Sequence, residues 1–112
     1  MARLNYLELP VTDIAGAKAF YAAAFDWTFA DFGPSYAATT TGDTDIGFQA
    51  DPAEATAAAL PVIEVDDIEA VAAKVRAAGG VITVPIFTFP GGRRFHFQDL
   101  AGHELAVMQT AN

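Results

Sequence analysis

Tyr6 and Glu8 are the first residues whose types and spacing suggest chemistry, a phenol and a carboxylate two positions apart in Asn5-Tyr6-Leu7-Glu8-Leu9-Pro10. Residues two apart on an extended segment share a face. The pair could therefore orient a ligand, and Glu8 could bind a cation or serve as a base. A solvated edge-strand carboxylate is the plainer reading of the same pattern. His96 and His103 invite a metal, but no third ligand accompanies them, and local hydrogen bonds would equally account for both. Arg93-Arg94 follows Gly91-Gly92 and could meet an anionic ligand or simply tip a hairpin. Asp43 with Asp45, and Asp66 with Asp67, read as turn and cap carboxylates. Ser35 is the only serine and lies in no nucleophile-elbow motif, and cysteine is absent, so no thiolate is available. Neither a phosphate-cradling glycine loop nor a dinucleotide fingerprint occurs.

The elements that must carry these groups follow from periodicity. Tyr6 to Val11 alternates as a half-buried strand, with Leu7, Leu9 and Val11 on one face and Tyr6 and Glu8 on the other. Thr12 or Asp13 caps a helix whose buried stripe is expected to be Ile14, Ala17, Phe20 or Tyr21, Ala24 and Phe25. Trp27 to Phe32, Tyr36 to Thr41 and Asp45 to Ala50 read as strands separated by Gly33-Pro34-Ser35 and Gly42-Asp43. Residues 51 to 59 are an alanine-rich connector with one helical turn expected around Glu54 to Ala58. Val62 to Val65 is then a strand, and Asp66 or Asp67 caps a helix burying Ile68, Val71, Val75 and Ala78. Gly79 supplies its left-handed terminus. Val81 to Phe89, Arg93 to Gln98 and His103 to Gln109 complete the set, with Pro85 marking an edge or a bulge.

Asp13 and Asp67 stand 54 positions apart, and that shift superposes Val11 on Val65, Ile14 on Ile68 and Ala23-Ala24 on Ala77-Ala78. Two copies of one βαβββ plan result. The fold class is α+β, a single domain over residues 1–112 with modules at about 1–50 and 60–112.

Composition narrows the partners. At 53% hydrophobic, with nine Phe in 112 residues, the chain can fill a core. A net charge of −8 repels nucleic acid. No apolar run reaches the roughly 20 residues of a membrane span, and the N-terminal residues show no signal-peptide pattern. The expected location is cytoplasmic.

The run Glu8-Leu9-Pro10-Val11-Thr12-Asp13 leading to Ala19-Phe20-Tyr21 resembles the opening of the glyoxalase/bleomycin-resistance/dioxygenase proteins, the vicinal oxygen chelate superfamily. Val65-Asp66-Asp67, Gly79-Gly80 and the closing Asp99-Leu100-Ala101-Gly102-His103 resemble its second module. The resemblance implies curled mixed sheets around a ligand cavity, helices outside, and assembly as a homodimer. In metal-using members, a His near the start of each module's first strand and a Glu on its last strand hold a divalent ion. Here those positions carry Tyr6, Leu60 and Ala106, and Ile46-Gly47-Phe48-Gln49 supplies no carboxylate. No metal and no cofactor are therefore expected.

Strand parity assigns the expected cavity wall. Tyr6, Glu8, Leu60, Val62, Glu64, Glu104, Ala106 and Met108 lie opposite the helix-facing set Leu7, Leu9, Ile63, Val65, Leu105 and Val107. If the loop Asp99 to Gly102 joins paired strands directly, Phe95 and Phe97 share the Ala106 face; a shift of one residue would place His96 and Arg94 there instead. The expected ligand-binding set is thus Tyr6, Glu8, Val62, Phe97, Ala106 and Met108, with His96 and Arg94 under the shifted register. Glu8 and Tyr6 are the candidate catalytic groups. The function expected is binding of a small organic ligand in a partly acidic, aromatic cavity without the family metal. The alternatives are a lyase, isomerase or dioxygenase with a relocated metal, and a drug-sequestering resistance protein.

Overall fold

The computed structural model describes residues 2–111. It contains β1 (Arg3–Pro10), α1 (Ile14–Phe25), β2 (Ala30–Asp31), β3 (Tyr36–Ala38), β4 (Asp45–Gln49), β5 (Leu60–Glu64), α2 (Ile68–Ala77), β6 (Val81–Phe89), β7 (Gly92–Gln98) and β8 (Glu104–Thr110). These are two consecutive βαβββ modules, an α+β fold. By internal contacts the chain divides into two compact units, Tyr6–Leu60 and Pro61 onward together with the residues up to Asn5. Among the described residues no helix is long and apolar enough to cross a membrane.

Both units repeat one topology. In the first, β1 pairs parallel with β4, β4 antiparallel with β3, and β3 antiparallel with β2. In the second, β5 pairs parallel with β8, β8 antiparallel with β7, and β7 antiparallel with β6. The caps repeat as well. Asp13 accepts from the Gly16 amide at 3.0 Å and Asp67 from the Ala70 amide at 3.1 Å, each satisfying one of the amides left over at a helix start. Beyond the strand ends, Val11 donates to the Gln49 carbonyl and Val65 to the Met108 carbonyl.

The second unit has a conventional core in which Val65, Ile68, Ala72, Phe95 and Val107 pack together, with Ile63, Val71, Val75 and Phe97 against them. Gly79 ends α2 at a φ of 98°, a left-handed conformation that costs glycine little. In the first unit Phe48 is fully buried between the rings of Tyr21 and Phe29, at centroid distances of 5.4 and 5.1 Å. The stripe expected on α1 forms only in part: Ile14, Ala17 and Tyr21 are half-buried, whereas Ala24 is exposed and Phe20 and Phe25 are 63% and 56% exposed. With alanine on nearly every remaining position, the helix has no polar side to set against an apolar one.

Several strands are shorter than their sequence patterns. Only Ala30–Asp31 of Trp27 to Phe32 pairs, and β3 stops at Ala38. Asp45 draws the following segment into a turn, accepting from the Thr39 hydroxyl at 2.7 Å, the Thr41 amide and hydroxyl at 2.8 Å, and the Gly42 amide at 3.0 Å. The connector holds a single turn, closed by Glu54 and Ala55 amides on the Asp51 carbonyl. It begins earlier than the expected position because Asp51 also accepts from the Ala53 amide.

Candidate functional site

On β1, Tyr6 and Glu8 pair with Asp45 and Gly47 of β4, while Tyr36 and Ala38 of β3 pair with Gln49 and Gly47. Period-two alternation puts all of these on one face, opposite Phe48. Glu8 is 2% exposed. The Tyr36 hydroxyl donates to Glu8 Oε1 at 3.0 Å and lies 2.5 Å from the Tyr6 hydroxyl. A phenol has one proton; with that of Tyr36 committed to the carboxylate, Tyr6 donates to Tyr36. The result is a directed chain, Tyr6 to Tyr36 to Glu8.

Gly47 makes the chain possible. A Cβ at this position would collide with the hydroxyl oxygens of both tyrosines. Burial pushes the Tyr36 phenol far above its ordinary range, and the charge of Glu8 and the contact with Tyr6 push it further the same way. Tyr36 is therefore held as a neutral donor. Sequence patterns single out Tyr6 and Glu8 but not Tyr36 or Gly47. Tyr36 is 28 residues from Glu8 in the chain, and only the β1–β4–β3 pairing brings them together. Alternation of Tyr36 with Ala38 after the Gly33-Pro34-Ser35 turn was the available signal.

In the second unit, His96 pairs with Ala106, Ala106 with Val62, Arg94 with Met108, and Gln98 with Glu104. The face expected for Phe97 is thereby corrected: Phe97 pairs with Leu105 and packs with Phe95 against the α2 core, whereas Arg94 and His96 share the face of Val62, Ala106 and Met108. The cause lies in the loop. Asp99 Oδ1 accepts from the amides of Ala101 and His103 at 2.9 Å, and the Asp99 amide donates to the His103 carbonyl. His103 is thus held inside a five-residue loop (99–103), and that extra residue reverses the facing of β7. The backbone amide of His103 is the main cause of a lowered Asp99 pKa, with burial opposing and the His103 ring and Ala101 amide adding to it.

His96 is 5% exposed, and its Nδ1 lies 3.0 Å from Glu104 Oε2. The Arg94 guanidinium carbon sits 5.5 Å from the centroid of Phe87 and 5.8 Å from that of Phe89. Register shifts on either side of the Val84 pairing align Phe87 with Arg94, in keeping with the irregularity expected at Pro85. Arg93 points elsewhere and forms a two-toothed ion pair with Glu69 of α2. Glu64 accepts from the Asn5 amide at 3.2 Å.

The residues present do not fit the divalent ion implied by the sequence resemblance. Tyr6, Leu60 and Ala106 stand at its ligand positions, and Gly47 is the register equivalent of Ala106. Among the described residues no group of three His, Cys, Asp or Glu side chains could hold a metal.

Known proteins place this geometry. The protein CFP32, from Mycobacterium bovis and Mycobacterium tuberculosis, is 32% identical over 117 residues, which cover 95% of this chain and 45% of CFP32. The chain thus spans about half the length of the curated relatives it matches. The fold is shared with methylmalonyl-CoA epimerase from Mycobacterium tuberculosis, at a TM-score of 0.76 and 13% identity over 97% of this chain and 88% of that one. It is shared also with the Mn(II)-bound glyoxalase from Novosphingobium aromaticivorans, at a TM-score of 0.71 and 19% identity over 97% of this chain and 40% of that one. The family model of the Glyoxalase/Bleomycin resistance protein/Dioxygenase superfamily matches residues 3–107, and the chain belongs to that superfamily.

Proposed function

We propose that this protein binds a small organic molecule carrying a cation or hydrogen-bonding groups, and that it does so without a metal. The observation that carries this reading is the buried Glu8 carboxylate held by Tyr36, with Tyr6 as the outer member of the chain. The three side chains and Gly47 occupy the region where a metal-using member would place its ligands, and they form a coherent organic site in its stead. Tyr6 meets the ligand and Tyr36 transmits the charge of Glu8 to it. The lack of a three-ligand donor set among the described residues disfavours a relocated metal.

The test is a thermal-shift screen of planar and cationic compounds, followed by titration of each hit into Glu8→Gln and Tyr6→Phe. The expected result is loss of about tenfold or more in affinity in both variants, the scale of one charge-assisted hydrogen bond. Hits that bind both variants as they bind the wild type would end the reading.

The protein works as a homodimer in this proposal. Phe20 and Phe25 are exposed together with Trp27 and Phe32, and Tyr21 stacks on Trp27 at 5.6 Å. Lys18 is the only charged residue of α1, and it bonds Asp31. In a chain of net charge −8, such an apolar face, where charge is sparse apart from Asp26 and the Lys18–Asp31 pair, is where a second copy can approach with least repulsion.

A further inference from the structure

The two units place different chemistry at equivalent positions. Gly47 and Ala106 correspond, because each pairs in parallel with the first strand of its module, at Glu8 and at Val62. Ala38 and His96 then correspond as their antiparallel partners, and Tyr36 corresponds to Arg94. Glu8, Tyr36 and Ala38 in the first unit are thus Val62, Arg94 and His96 in the second. The second cluster is not a copy of the first and calls for its own explanation.

His96 Nε2 is buried and has no hydrogen-bond partner. A native fold seldom leaves such a group without something to complete it. Glu104 determines what that must be. As a carboxylate it accepts from Nδ1–H, and in the tautomer this bond selects Nε2 presents a lone pair. The missing partner is a hydrogen-bond donor. Phe87 lies beside both His96, at 6.2 Å between ring centroids, and the Arg94 guanidinium. The imidazole and the guanidinium therefore neighbour the same ring. The Arg94 guanidinium carbon lies within cation–π distance of both Phe87 and Phe89, and its five N–H groups exceed the two that one carboxylate engages. Arg94 can therefore serve a ligand alongside another partner.

We propose that His96, Glu104 and Arg94 form a binding site for a small 2-hydroxycarboxylate, whose carboxylate meets Arg94 and whose hydroxyl donates to His96 Nε2. The acceptor nitrogen selects against a plain carboxylate, which has no donor to offer. The burial of His96 limits the ligand to a few heavy atoms. Met108, the register partner of Arg94, is the flexible neighbour that moves to admit it.

The experiment is a titration of the intact protein with glycolate, and separately with acetate, followed through the imidazole nitrogen resonances; His103→Gln identifies which signals belong to His96. The expected result is an unprotonated Nε2 in the free protein and a saturable shift of that resonance with glycolate. Acetate should bind about tenfold or more weakly, and Arg94→Gln should weaken glycolate to a similar degree. Arg94→Lys, which keeps the charge without the planar fork, covers the case in which the glutamine variant does not fold, and it too should bind more weakly. The site is refuted by a proton on Nε2 with Nδ1 bare, by an unresponsive His96 at roughly 50 mM glycolate, where millimolar binding would be saturated, or by undiminished binding in the folded Arg94 variants.

Discussion

The hydroxyl oxygens of Tyr6 and Tyr36 lie 2.5 Å apart, and that of Tyr36 donates to Glu8 Oε1 at 3.0 Å. The two phenols are thus unequal, and their removal should cost different amounts. Tyr36→Phe takes the donor from a buried carboxylate and should destabilise the fold by about 1–3 kcal/mol. Tyr6→Phe leaves Tyr36 bonded to Glu8 and should cost nearer to 1 kcal/mol. Urea unfolding of both variants and the double variant measures the losses and their coupling, which should exceed about 0.5 kcal/mol for groups in one network. Equal, additive losses would mean that the chain of bonds does not act as a unit.

Gly47 holds the space beneath those hydroxyls. Its substitution by alanine should displace both tyrosines and cost about 1–3 kcal/mol, as overpacking does. The same change in a Tyr6→Phe, Tyr36→Phe background should cost less, since the colliding oxygens are then gone. Chemical denaturation of the four proteins reads the difference. An undiminished cost would place the strain in the backbone.

Asp45 governs the turn between β3 and β4. Burial favours its neutral form, but the bonds from Thr41, Thr39 and Gly42 outweigh that and leave its pKa below the ordinary value. Its unfolded pKa is about 3.9, so its contribution is present above that value and is lost as the pH falls toward the lower folded one. Stability measured by urea titration should therefore drop in this acid window, and by less in Asp45→Asn. Parallel curves for the two proteins would remove Asp45 as a source of acid lability.

Much of this architecture was legible in the residue pattern because it depends on local chemistry. Asp13 and Asp67 cap helices by residue type, and their 54-residue spacing repeats with the whole topology. The facing of β7 was not legible, because it turns on whether His103 pairs or stays in the loop, a choice made by the Asp99 carboxylate. The exposure of Phe20 and Phe25 was equally hidden, because on an alanine-rich helix periodicity alone does not decide which of Phe20, Tyr21 and Phe25 turns inward. Tyr36 joins Glu8 only through the order of three strands, which no local pattern encodes.

The exposed aromatics of α1 lead to a prediction about assembly. Light scattering should give twice the chain mass of 11.8 kDa at micromolar concentration. Phe20→Lys with Phe25→Lys should give the single-chain mass while keeping the fold, because surface positions such as these usually change stability by less than about 0.5 kcal/mol each. A wild type already at the single-chain mass would eliminate the dimer. A dimer unaffected by both substitutions would move its interface away from α1.

Tyr36 gives the opposite pH behaviour to Asp45. Its folded pKa is raised by burial and by Glu8, while in the unfolded chain it ionises at about 10. Below that value both states hold the proton and the stabilisation is complete. Above it the unfolded chain releases the proton that the native state must keep, and stability falls as the pH climbs toward the folded value. The wild type should therefore lose more unfolding free energy than Tyr36→Phe between about pH 9 and 11, a difference in which the other titrating groups cancel. Ultraviolet absorbance supplies an independent reading, since the Tyr36 phenolate should develop only as the chain unfolds. Its appearance in the native protein, or identical pH slopes for the two proteins, would show that Glu8 and burial do not hold the proton on Tyr36.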